Sequence, residues 1–110
     1  MEIKGTAMIS QPMHGKTFEE IVATRNMALD KLHFRSYEVV NTLFTEEYHS
    51  WDLAKNGKLS NRPLFWLAKS LEAMSRCDAV YFCKGWENYR GCKIEHDAAV
   101  AYGLEIIYEE

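Results

Sequence analysis

A chain of 110 residues makes one domain, spanning 1–110, with room for a single core and little wall to spare for a self-sufficient pocket. Apolar residues at 47% and aromatics at 13% exclude a disordered chain. A formal charge of -3, from 13 basic against 16 acidic side chains, leaves no electrostatic footprint for a nucleic-acid backbone.

No apolar run approaches the roughly 20 residues of a membrane span, so neither a membrane nor a nucleic acid is expected as a partner. The N-terminus runs almost directly into a strand-like segment, without a basic stretch followed by an apolar one, so no secretory signal is expected. Cys77, Cys83 and Cys92 are odd in number and lack C-x-x-C spacing, against both a disulfide framework and a zinc site. A reducing, cytoplasmic compartment follows as the expectation, with no metal and no cofactor.

The first strand is predicted over 6–10, apolar without polar alternation, as in a strand covered on both faces. Pro12 and Gly15 punctuate a turn after it. Thr17 followed by Glu20 is a capping box, and Phe18, Ile21, Val22, Ala28, Leu29 and Leu32 then recur at helical spacing to about His33. A second strand is predicted over 37–40, with β-branched Val39 and Val40. Residues 41–61 lack a pattern: Tyr48, Trp51 and Leu53 stand among charges and Asn56-Gly57 marks a turn, which predicts an irregular excursion of the kind used for lids, binding loops or interfaces. Asn61 and Pro63 open another helix, whose buried stripe is expected to be Leu64, Leu67, Ala68, Leu71 and Met74. A strand over 79–82, a glycine-framed loop, a helix ending near Gly103 and a last strand at Ile106, Ile107 and Tyr108 complete the chain. The alternation predicts an α/β fold: an open three-layer sandwich on a mainly parallel sheet of four or five strands, of flavodoxin/Rossmann type.

Such sheets hold ligands where loops leave the carboxyl ends of their strands. Two stretches qualify, 10–16 and 85–92, each leading into a helix whose unpaired N–H groups and positive dipole end suit an anion. His14, Lys16 and Arg90 add positive charge there, and Gly15, Gly85 and Gly91 allow close backbone approach, although glycines also simply make turns. Glu95 is expected within the first turn or so of the second helix, on the side facing the crevice. Without further context a glutamate there serves the helix dipole more often than catalysis. Cys92 stands where helix N-termini lower thiol pKa values, but no base accompanies it in the same stretch. Asp78 reads as a turn or cap residue, His96 as a satisfied surface or interface histidine, and Trp66 as core or subunit interface.

Gly91-Cys-Lys-Ile-Glu95, with Ala98 to Gly103 and the strand after it, resembles the Gly-[Ser/Thr]-x-x-Glu segment of the nucleoside 2-deoxyribosyltransferase superfamily. More narrowly, Met8-Ile-Ser-Gln-Pro-Met-His-Gly-Lys16 and Gly-Trp-x-x-x-Arg-Gly-Cys-x-x-Glu-His resemble a set of small phage and bacterial proteins within it, the DUF4406 domain of unknown function. The resemblance implies chemistry at an N-glycosidic bond, in which the motif glutamate, Glu95 here, attacks the anomeric carbon and holds a glycosyl ester. It places Ser10, Gln11, His14 and Lys16 along the sugar or phosphate, and Trp86 against a base. It also implies a site completed by a neighbouring subunit, so a homo-oligomer, a dimer or larger, is expected.

Three departures bear on the substrate. Acidic residues usual just before the motif glycine are replaced by Tyr89-Arg90; an acid on the preceding helix is replaced by Lys69-Ser70; and the Ser or Thr after the glycine is Cys92. An arginine at that position favours an anion, which points to a nucleoside 5'-monophosphate over a free nucleoside. The expected function is therefore N-glycosidic chemistry on a deoxynucleoside or nucleotide. The alternatives are a binding protein for a nucleotide-derived molecule, such as a cyclic ADP-ribose relative, and a structural protein using Tyr48, Trp51 and Trp66 as a subunit contact.

Overall fold

The computed structural model describes residues 2–42 and 61–110. In chain order these form β1 (Gly5–Ser10), α1 (Phe18–Phe34), β2 (Tyr37–Val39), α2 (Arg62–Met74), β3 (Ala79–Phe82), a single 3-10 turn (Trp86–Asn88), α3 (Arg90–Ala101) and β4 (Glu105–Tyr108). The four strands make one all-parallel sheet in the order β2-β1-β3-β4. The irregular excursion expected over 41–61, with Tyr48, Trp51 and Leu53, lies almost wholly outside the described residues.

Local signals fix the element ends. The Thr17 N–H donates to Glu20 Oε1 at 2.8 Å and the Glu20 N–H to Thr17 Oγ1 at 3.1 Å, which closes the expected capping box. Asn61 accepts from the Leu64 N–H at 3.0 Å to start α2. Asp78 is a strand cap: Oδ2 accepts from the Thr6 N–H at 2.9 Å, and a Cβ on residue 5 would stand 2.7 Å from that oxygen, so a side chain there would displace the cap.

The sheet is covered on both faces because successive strand residues alternate sides. Ala7, Ile9, Ala79 and Tyr81 pack against Ala28 and Leu32 of α1. Met8, Val80 and Phe82 pack against Met74 of α2 and Ala99 of α3. The expected stripe of α2 needs correction. Leu71 and Met74 reach the core, but Leu64 and Ala68 are exposed and Leu67 lies off the sheet. A 13-residue helix is about 20 Å long, whereas a strand of four residues is about 13 Å. The first half of α2 therefore overhangs the carboxyl ends of the strands.

Candidate functional site

The overhang makes one wall of a crevice. α1 leaves β1 for one face of the sheet and α3 leaves β3 for the other, and β1 and β3 are neighbours, so a cleft opens between their carboxyl ends. Its volume is about 1190 Å³. The two loops expected to face one another do so: the Tyr89 hydroxyl donates to the His14 carbonyl at 3.4 Å, and the position of a Cβ on residue 85 lies 3.9 Å from Pro12 Cγ.

Glu95 forms the floor. With Tyr89 as N-cap, Glu95 is the sixth residue of α3, in its second turn and not its first, within the buried stripe Cys92, Glu95, Ala99. It is 7% exposed, and Ser10 Oγ donates to its Oε1 at 2.6 Å. Ser70 of α2 lines the crevice beside the same carboxylate, and its hydroxyl favours the charged form. Burial pushes the Glu95 pKa above the usual carboxylate range, and the two hydroxyls pull against it. A carboxylate that only complemented a helix dipole would sit exposed in the first turn, so the dipole does not account for this one.

Of the other residues singled out in the sequence, Gln11, His14, Arg90, Gly91 and Cys92 line the crevice with Glu95. Ser10 reaches it only through its hydrogen bond to Glu95. Gly15 and Gly85 adopt φ values of +82° and +89°, the left-handed region that favours glycine, and serve turns beside the crevice without lining it. Lys16 borders a separate small cleft beside Tyr81, Lys84 and Glu109. Trp86 also lies off the crevice: it packs on Phe82 and stacks on His96 at 4.1 Å between ring centroids. Its ring is committed to the core side of α3, away from a base in the cleft. His96 is satisfied by the Tyr108 hydroxyl at 2.6 Å.

Cys92 is a buried thiol. Its removal from water outweighs the Ser10 contact and raises its pKa to about 11, so it is a neutral neighbour of Glu95 at pH 7. Cys77 and Cys83 are likewise free and buried.

Several lining residues were not singled out as ligand contacts by sequence. Trp66 and Leu67 from α2, Tyr89 before α3, and Thr42 after β2 face the same space. Trp66 is therefore an aromatic side chain on the crevice wall, in the place expected of Trp86. The signal for Ser70 was present, since it occupies the position where the resemblance puts an acid.

Among the described residues, nothing beyond its chain neighbours and its own helix backbone comes within 4 Å of where a Cβ on Gly91 would stand, and Gly91 lies within α3 at the crevice wall. Gly91→Ala is expected to raise stability by up to about 1 kcal/mol, through the lower chain entropy of alanine in a helix. If ligand packs against this wall, the same change weakens binding; thermal melts and ligand titrations on one sample separate the two effects.

An all-parallel sheet in the order β2-β1-β3-β4, with helices on both faces and a crevice at its switch point, is a doubly wound α/β fold. The family described as Domain of unknown function (DUF4406) matches residues 6–108, and the chain belongs to that family. No curated protein and no solved structure matches it. No helix among the described residues is long and apolar enough to cross a membrane.

Proposed function

We propose that this protein acts on the N-glycosidic bond of a deoxynucleoside or nucleoside 5'-monophosphate, with Glu95 as the nucleophile. The observation that carries this is the state of Glu95: removed from water, held by the Ser10 hydroxyl with Ser70 close by, and facing a cleft with room for a nucleotide. A desolvated carboxylate attacks more readily than a hydrated one, because no water shell must be shed. One Glu95 oxygen bonds to the anomeric carbon as the bond from that carbon to the base nitrogen breaks; the electron pair leaves with the base, which takes up a proton. Water or a second base then displaces the sugar from the glycosyl ester and returns the carboxylate. Trp66 offers a face for the base, and Arg90 with the first N–H groups of α3 suits a phosphate. Resemblance to the nucleoside 2-deoxyribosyltransferase superfamily supports the same chemistry.

The test is base release from a panel of deoxynucleosides and their 5'-monophosphates, followed by chromatography. No turnover across the panel would sink the proposal. The acid limb of kcat/KM carries a further expectation. The nucleophile is the ionised form and its pKa is raised, so activity falls with decreasing pH at a midpoint above the usual carboxylate range. A limb within the ordinary range would show that Glu95 is not the titrating group.

One observation favours a second reading, a binding protein that leaves its ligand intact. Among the described lining residues Glu95 is the sole carboxylate, so no second acid stands ready to protonate a departing base. Calorimetric binding of a nucleotide followed by recovery of the unaltered ligand would select this reading. Met13 and Phe18, exposed at the crevice, support the expectation that copies associate to close it.

A further inference from the structure

Arg25 occupies a register on α1 where the helix otherwise buries apolar side chains, in the stripe Arg25, Ala28, Leu32. It is 7% exposed. No carboxylate among the described residues pairs with it. Its Nε donates to Gln11 Oε1 at 2.9 Å and its Nη2 to Thr42 Oγ1 at 3.2 Å, and both partners line the crevice while remaining buried. A guanidinium only donates, so the amide atom facing it must be oxygen. Gln11 Nε2 then lies against the Ile21 carbonyl, to which it donates at 3.0 Å, and the two contacts agree on the orientation. One of the two amide hydrogens is spent on Ile21; the other makes no hydrogen bond among the described residues, and Gln11 lines the crevice. Thr42 in turn donates to the Ile9 carbonyl at 3.2 Å, which ties the guanidinium to the end of β1.

We propose that Arg25 is a positioning residue that locks the Gln11 amide with its N–H toward the crevice, so that this wall recognises an anionic oxygen of phosphate type on the ligand. The assignment rests on the crevice being a nucleotide site and names the part of the nucleotide read there. The buried positive charge behind Gln11, and Arg90 on the same crevice, favour an acceptor that is also negative. Lysine does not replace this function, because one ammonium on a flexible stem does not reproduce a planar fork that spans Gln11 and Thr42.

The experiment joins side-chain NMR to calorimetric titration of the four 2'-deoxynucleoside 5'-monophosphates and the matching nucleosides, on the wild type, Arg25→Lys, Arg25→Met and Gln11→Glu. In the wild type the Arg25 Nε–H should exchange slowly and the Gln11 amide should give a fixed, well-separated pair of signals. Arg25→Lys should collapse that pair and weaken the monophosphates about tenfold, the scale of one charge-assisted hydrogen bond, while changing nucleoside binding less than twofold. Gln11→Glu should keep the Arg25 signal, since a carboxylate still accepts from it, yet weaken the monophosphates because an acceptor now faces them. Wild-type affinity in Arg25→Lys, or an equal loss for nucleosides, would overturn the proposal. If no probe binds the wild type, the nucleotide reading itself fails. The NMR arm then decides the role of Arg25 alone: Gln11 signals unchanged in Arg25→Lys refute positioning, and their collapse supports it. Should Arg25→Met fail to fold, Arg25→Lys and Gln11→Glu carry the same test.

Discussion

Glu95→Gln is expected to lower base release on the order of 10⁴-fold or more, the scale on which removal of the group that forms a covalent intermediate acts. Nucleotide binding should be largely kept. Glutamine is nearly the same shape, and its carbonyl still accepts from the Ser10 hydroxyl that now bonds Oε1 at 2.6 Å. The stability of the same variant supplies an independent check with a definite sign. Burial raises the pKa of Glu95 in the folded protein, so the folded state holds its proton more tightly than the unfolded chain does. The contribution of this residue to stability is therefore complete below the unfolded pKa and declines as pH rises through the folded one. Glu95→Gln escapes that decline, and its stability relative to the wild type should grow as pH rises across that window. Urea titrations at about pH 3 and about pH 7 measure it, one below and one above the ordinary carboxylate range. An equal stability difference at both values would show that the carboxylate is not desolvated. A variant with unchanged turnover would show that Glu95 is not the nucleophile.

Phe82→Ala is expected to cost about 3 to 5 kcal/mol of folding stability, the cost of emptying a fully buried aromatic site. Phe82 is 0% exposed at the carboxyl end of β3, and its ring meets Trp86 at 5.4 Å and His96 at 4.9 Å between centroids. His96 adjoins Glu95 on α3, so the cavity would open beneath the helix that carries the carboxylate. For a domain of this size the loss is a large part of the whole margin. Thermal melting should fall by well over 10 °C, by the usual conversion of roughly 4 to 8 °C per kcal/mol for small domains. A shift of only a few degrees would mean that the Trp86 and His96 rings collapse into the space.

The layered α/β class, the strand over 79–82 and both helix caps were legible because each is written in neighbouring residues: apolar runs without alternation, Thr17 with Glu20, Asn61 before Pro63. The stripe of α2 was misread at Leu64 and Ala68 because periodicity shows which residues share a face but not how far the sheet beneath extends. Trp86 was read as a ligand contact on the resemblance alone; its ring stacks instead on His96, a partner ten residues later on α3. Arg25 carried a signal that was passed over, a charged residue in the apolar register of α1.

By itself the sequence determined the element order, the two loops that meet at the carboxyl ends of the strands, and the glutamate that lines the crevice between them. Only the tertiary structure decided what surrounds that glutamate. Ser10 lies 85 residues away along the chain, and Ser70 comes from a helix packed on the same face of the sheet as α3. Their convergence depends on the strand order β2-β1-β3-β4, which makes β1 and β3 neighbours. Local chemistry is coded by adjacent residues and can be read one at a time. The desolvation of Glu95 and the orientation of Gln11 are properties of several segments meeting, and they exist only once the chain has folded.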